Sequence, residues 1–244
     1  MSHHFEQPSE FHFDLPAETV WEAIASGPGL SSWFMGATEV DPEKRVVRTT
    51  MGDYAADSTI DAYEPGQHFS FRGAESADGR FFAMEFLIEA RSSGSTVLRI
   101  VSSGFLPGDD WESEFEAMQE GGRLYLHTLV EYLTHFAGRP GIAVNASAAF
   151  GELDRRWDAM KADLGVISAL SIGDTVFLTP TGLPAIEGTV DFATADALGI
   201  RGSDALYRFH RGYYASGVGH HFFAASDPSP LTVEWQRWMD SVAS

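Results

Sequence analysis

The stretch PGDDWESEFEAMQEGGRLYLHTLVEYLTHF, residues 107–136, decides the fold. Pro107 and Gly108 stop whatever precedes them, and no proline recurs before Phe136. Asp109 followed by Glu112 has the spacing of a capping box, with Asp in the Ser/Thr role. Beyond that start, Phe115, Met118, Tyr125, Leu129, Tyr132, Leu133 and Phe136 recur at intervals of three and four. The pattern predicts one helix of about 25 residues, about 37 Å long. Asp109, Asp110, Glu112, Glu114 and Glu116 crowd its first turns. The positive end of a helix dipole accounts for them without a catalytic role.

Upstream of this helix lies a run of predicted strands at 44–50, 54–63, 67–73, 80–90 and 95–103, each rich in β-branched or aromatic residues. The separators Glu64-Pro65-Gly66, Ala77-Asp78-Gly79 and Ser92-Ser93-Gly94 are too short for crossover helices, so neighbouring strands are antiparallel. Phe82, Met84, Phe86 and Ile88 share one face, and Glu85 and Glu89 the other. Likewise Phe69 and Phe71 oppose His68, Ser70 and Arg72. One face is dry and one wet, and the long helix is the natural cover for the dry one. The chain opens with a strand over 5–15, and Pro16 suits a first helical residue. Val20, Trp21 and Ile24 continue at helical spacing, Ser26-Gly27-Pro28-Gly29 breaks the pattern, and 30–34 makes a second short helical turn. The fold class expected is α+β: a helix-grip domain over 1–139, its curved antiparallel sheet wrapped around the long helix.

In that order of elements the chain resembles the START-like (SRPBCC, birch-pollen-allergen-like) superfamily. Pro16-Ala17-Glu18-Thr19-Val20-Trp21-Glu22-Ala23-Ile24, followed by Leu30-Ser31-Ser32-Trp33-Phe34, is similar to the opening of the branch named for the activator of the heat-shock-protein-90 ATPase. Gly121-Gly122-Arg123-Leu124-Tyr125-Leu126 and then Leu129-Val130-Glu131-Tyr132-Leu133 resemble its closing helix, with Arg123 where that branch usually has tryptophan. The resemblance covers 5–137. It implies a cavity between sheet and helix; relatives bind lipids, hormones or polyketide-like molecules there, or catalyse cyclisation and hydrolysis. The branch name implies a chaperone-linked role.

Gly138-Arg139-Pro140-Gly141 marks a boundary, and 140–244 reads as a smaller α+β domain. Residues 142–149 read as connection. Phe150, Leu153, Trp157, Met160 and Leu164 define a helix, closed by Gly165. Strands are expected at 175–179, 185–192, 198–201, 205–210 and 217–224. Ser229-Pro230 opens a last helix with Leu231, Trp235, Trp238 and Val242 on one side. This part has the form of a truncated echo of the first. Its aromatic faces are expected to pack against something larger, either the first domain or a second copy of the chain in a homodimer.

Composition narrows the function. Hydrophobic residues are 44% and charged residues 21% of 244, which supports a core and excludes wholesale disorder. The net charge of -19 argues against nucleic acid and membrane as partners. No stretch approaches the roughly 18 uninterrupted apolar residues of a membrane helix. The N-terminus shows no signal-peptide pattern, and there is no cysteine, so a cytoplasmic location is expected.

The sequence shows no Gly-x-Ser-x-Gly elbow and no phosphate-binding loop, and no cofactor is expected. His220 and His221 are adjacent in a strand and point to opposite faces, His3 and His4 read as a mobile tail, and no histidine stands in a ligand-spaced cluster. No metal site and no catalytic residue is assigned. What remains is an aromatic interior. The expected function is non-catalytic binding of a small apolar or amphipathic molecule by Trp33, Phe34, Phe69, Phe71, Phe82, Phe86, Phe115, Met118, Tyr125 and Leu129. A cyclase or hydrolase using the same cavity and a chaperone-linked stress role are the alternatives.

Overall fold

The structure, a computed structural model, describes residues 3–52, 54–91, 94–108, 111–148, 152–212, 215–225 and 227–242. Strand β1 (His3–Phe13) leads into helices α1 (Ala17–Ala25) and α2 (Gly27–Ser31). Six strands follow: β2 (Ala37–Asp41), β3 (Val46–Met51), β4 (Tyr54–Glu64), β5 (His68–Gly73), β6 (Phe81–Ala90) and β7 (Thr96–Leu106). Helix α3 (Trp111–His135) closes the series. The strands form one antiparallel sheet in the order β1-β7-β6-β5-β4-β3-β2, so the first strand pairs with the last. This is the helix-grip arrangement expected.

Local details differ from expectation for identifiable reasons. Pro16 precedes α1 as its N-cap, its carbonyl accepting from the amides of Thr19 and Val20. His3 is no loose tail: β1 pairs with β7 from His3 onward, and the His3 ring stacks on Trp111 at 4.1 Å. The proposed capping residue Asp109, Asp110, and the Ser92-Ser93 turn residues lie outside the described residues.

The dry face of this sheet is densely filled. Phe69 and Phe86 stack at 6.0 Å, Trp33 packs edge-on to Phe86, and Leu129 and Leu133 of α3 join the same buried cluster. Burying the Trp33 indole requires a partner for its N–H, and Nε1 donates to the Ala23 carbonyl at 2.9 Å. The wet face carries the predicted polar set, with His68 and Glu85 in contact at 2.8 Å.

The second sheet repeats the scheme. Residues expected as connection form strand β8 (Ile142–Ser147). Helix α4 (Leu153–Asp163) follows, then β9 (Thr175–Leu178), β10 (Ile186–Ala193), β11 (Ala197–Arg201), β12 (Ala205–His210), β13 (Gly217–Phe222) and helix α5 (Pro228–Val242). The sheet order is β8-β13-β12-β11-β10-β9, again joining first strand to last. Small residues hid β8 from a propensity reading; its pairing with β13 makes it a strand.

Trp235 and Trp238 of α5, together with Trp157 of α4, pack on Phe209, Val190 and Ile200 of their own sheet. The expectation that these aromatics need a larger partner is therefore corrected: a six-stranded sheet is enough to bury them. Phe150, assigned to the same face, lies outside the described residues.

Both faces of the second sheet are covered. Period two sends Tyr207 and Phe209 toward α5 and Arg208 and His210 toward α3. The layers run first sheet, α3, second sheet, then α4 with α5. Helix α3 is thus packed on two sides. Leu129 and Leu133 face the first sheet, while Leu124, Thr128 and Glu131 meet the second.

Candidate functional site

The contact between α3 and the second sheet changes character along the helix. Toward the C-terminal half it is a polar lock. Arg208 is fully buried, and its guanidinium meets Asp191 through two bonds of 3.0 and 3.1 Å. Its Nε donates to the Thr128 hydroxyl at 2.7 Å. One turn further on, Arg201 Nε donates to Glu131 at 2.8 Å. Asp191 reaches this position through a register shift between Val190 and Phe192. Gly199 makes room for the pair, since a Cβ there would sit 2.4 Å from Asp191 Oδ1 and 2.9 Å from Arg208 Nη1. Burial pushes the Asp191 carboxyl up and the Arg208 guanidinium down, while their mutual attraction opposes both shifts.

His127 Nε2 lies beside the lock, 3.7 Å from Glu131 Oε1 and 3.9 Å from Asp191 Oδ1, with no hydrogen bond. Burial lowers its pKa. These three residues offer donor atoms within 4.8 Å of one another; His127 and Glu131 are one helical turn apart, and Asp191 joins them from the second sheet. Arg201 and Arg208 already neutralise the two carboxylates, so a divalent ion there would add uncompensated charge.

Toward the N-terminal half of α3 the two surfaces part, leaving a cleft of about 580 Å³. That volume suits a small organic molecule. Ala117, Gly121, Leu124 and Tyr125 form its helical wall, and Ala197 and His210 contribute from the second sheet. The Tyr125 hydroxyl and the His210 ring make no hydrogen bond among the described residues. Both stand over β13 at positions without side chains: a Cβ on Gly219 would lie 3.4 Å from Tyr125 Oη and 3.4 Å from Asn145 Oδ1, and one on Gly217 would lie 3.2 Å from His210 Cε1. Two residues along one strand are about 7 Å apart, so the hydroxyl and the imidazole share one floor. Burial pushes the Tyr125 phenol up to about 12 and the His210 imidazole down to about 4. At neutral pH both are uncharged, and each offers a donor and an acceptor.

A second cleft, about 700 Å³, lies beside α4. Several of its polar groups are taken: Trp157 Nε1 donates to the Ala195 carbonyl, and Asp158 pairs with Lys161. It offers fewer unanswered groups to a ligand.

Of the ten residues expected to bind, Tyr125 is in the first cleft. Trp33, Phe69, Phe86 and Leu129 have 0% exposure, which leaves no water-sized void against them. Phe34 and Phe71 are buried in the same cluster, with Phe82 packed at its edge. Phe115 and Met118 are half-buried on α3, Phe115 against Phe5 at 5.3 Å. Sequence reading missed His210, Asn145, Gly217 and Gly219. The available signal was a second stripe on α3, Ala117, Gly121, Leu124 and Thr128, too small and polar for a core yet regularly spaced.

Residues 14–134 match the family model described as Activator of Hsp90 ATPase homolog 1-like protein. No curated protein matches. Among solved structures, protein MLL2253 from Mesorhizobium loti is 19% identical, over 54% of this chain and 98% of that one, with a TM-score of 0.46. DynU16, of the dynemicin biosynthetic locus, is 17% identical over 98% of this chain and 95% of its own, with a TM-score of 0.46. The di-domain ARO/CYC BexL from the BE-7585A biosynthetic pathway is 12% identical over 98% and 99%, with a TM-score of 0.44. No helix among the described residues is long and apolar enough to cross a membrane.

Proposed function

Taking as premise that residues 14–134 belong to the Activator of Hsp90 ATPase homolog 1-like family, we propose that this chain binds a small amphipathic molecule in the cleft between α3 and the second sheet. The observation that carries this reading is the pair of unanswered polar groups, Tyr125 Oη and the His210 ring, set over Gly217 and Gly219 beside the apolar Leu124 and Ala197. A concave apolar wall with a few convergent polar groups is the usual form of a small-molecule site. In this reading Tyr125 contacts the ligand, while Trp33, Phe34, Phe69, Phe71, Phe82, Phe86 and Leu129 hold the helix against the first sheet. Phe115, against Phe5, holds the first turns of α3 on β1.

The test is a fluorescence titration of 2-naphthylmethanol into the full chain and into Gly121→Leu. A Cβ at Gly121 meets nothing within 4 Å, so the leucine projects into the cleft without displacing the core. Saturable binding by the wild type, lost in the variant, supports the reading. Equal binding by both would place the probe elsewhere.

A further inference from the structure

The rim of the cleft has a charge that its floor lacks. Glu116 and Glu120 of α3 and Asp196 of the β10–β11 turn line it, against a single guanidinium, Arg211. Arg211 is already engaged, its Nε 2.6 Å from Asp154 and 3.9 Å from Asp196. Glu120 is held by Arg123 at 2.8 Å. Glu116 makes no ion pair among the described residues. Counting these pairing partners, carboxylates still outnumber guanidiniums four to two, and His210 does not redress the balance because its ring is neutral at physiological pH. The whole chain, at -19, points the same way.

A second feature concerns hydrogen bonding. Tyr125 Oη and the His210 ring stand over Gly219 and Gly217 with no partner among the described residues, whereas Glu116 is exposed and Asp196 half-exposed. A molecule filling the space therefore meets neutral donor and acceptor groups at its inner end, apolar contact along Leu124 and Ala197, and negative potential at its outer end.

Resting on the binding function proposed above, we infer that the cleft selects organic cations: amphipathic molecules with a flat apolar body and a protonated amine, the amine lying toward Glu116 and Asp196. Carboxylates and phosphates of the same body are disfavoured. Two exposed ion pairs together account for about a tenfold preference, which salt reduces.

Three probes sharing one naphthalene body test this: 2-naphthylmethylamine, 2-naphthylmethanol and 2-naphthoate, titrated into the full chain at low and high salt. The expected order is amine about tenfold tighter than alcohol, with carboxylate weakest and the spread narrowing at high salt. Glu116→Gln should weaken the amine severalfold and leave the alcohol unchanged, and Gly121→Leu should abolish all three. If all three bind alike and Gly121→Leu abolishes them, the cleft is a site but charge selection is overturned. If Gly121→Leu leaves all three unaffected, or none binds, both the site and the selection fail.

Discussion

Arg208 Nε of β12 donates to the hydroxyl of Thr128 in the C-terminal half of α3, 2.7 Å away, and both side chains are fully buried. Through this bond and the Arg201–Glu131 pair, with the Arg208 guanidinium fixed by Asp191 of its own sheet, the second sheet grips the helix that belongs to the first. Gly141 N donating to Ser32 Oγ at 2.7 Å, and Phe223 stacked on Phe136 at 4.2 Å, extend the grip.

A buried ion pair broken on one side leaves an uncompensated charge. Arg208→Met should therefore cost about 3–5 kcal/mol in urea unfolding, and Arg208→Met combined with Asp191→Leu should recover most of it. A loss under about 1 kcal/mol for the single variant would mean that Asp191 is solvated in the native state.

Two buried histidines set a pH dependence. His220 Nδ1 accepts the backbone amide of Arg208, and His221 Nδ1 contacts the Ser31 carbonyl at 3.0 Å; both Nε2 atoms are buried without a partner. Burial lowers His220 well below the ordinary histidine value and His221 to about 3. The unfolded chain takes up protons near pH 6.5 that the folded chain refuses, so stability is intact above that pH and declines as pH falls toward about 3. Between pH 7 and 5.5 these two groups, with His210, whose pKa burial lowers to about 4, should together remove about 3–4 kcal/mol, each contributing at most about 1.4 kcal/mol per pH unit. Urea melts across that interval read it directly; a flat profile would show that these rings find water in the native state.

The two sides of α3 should respond oppositely to truncation and filling. Leu129→Ala empties a fully buried position and should cost about 2–5 kcal/mol. Gly121→Ala adds a methyl where nothing lies within 4 Å and removes a helix-interior glycine, so it should stabilise by about 0.5–1 kcal/mol. Chemical denaturation of both variants checks the helix orientation; a destabilising Gly121→Ala would mean the cleft wall is closed.

The first module was legible because its signals are periodic and strong. Phe82, Met84 and Phe86 alternate with wet residues, and the apolar stripe of α3 runs through Tyr125, Leu129, Tyr132 and Leu133. β8 was not legible, because Ala143, Ala146 and Ser147 carry little strand propensity and the pairing that defines the strand comes from β13, some 70 residues later. The candidate site was legible only at Tyr125. Its other groups face α3 because Gly217 and Gly219 leave space, and the polar lock joins residues 80 apart, Thr128 to Arg208. An aromatic list read from sequence marks where a core is dense, but not on which side of a helix the packing gives out.

The most direct measurement is a methyl NMR titration of the leucine-labelled full chain with 2-naphthylmethanol. Leu124 lies in the cleft wall, and Leu129 lies five residues further along the same helix, against the first sheet. Saturable shifts at Leu124 with Leu129 unmoved are the predicted result. Shifts at Leu129 with Leu124 silent would put the ligand beneath the first sheet and contradict the assignment of the cleft.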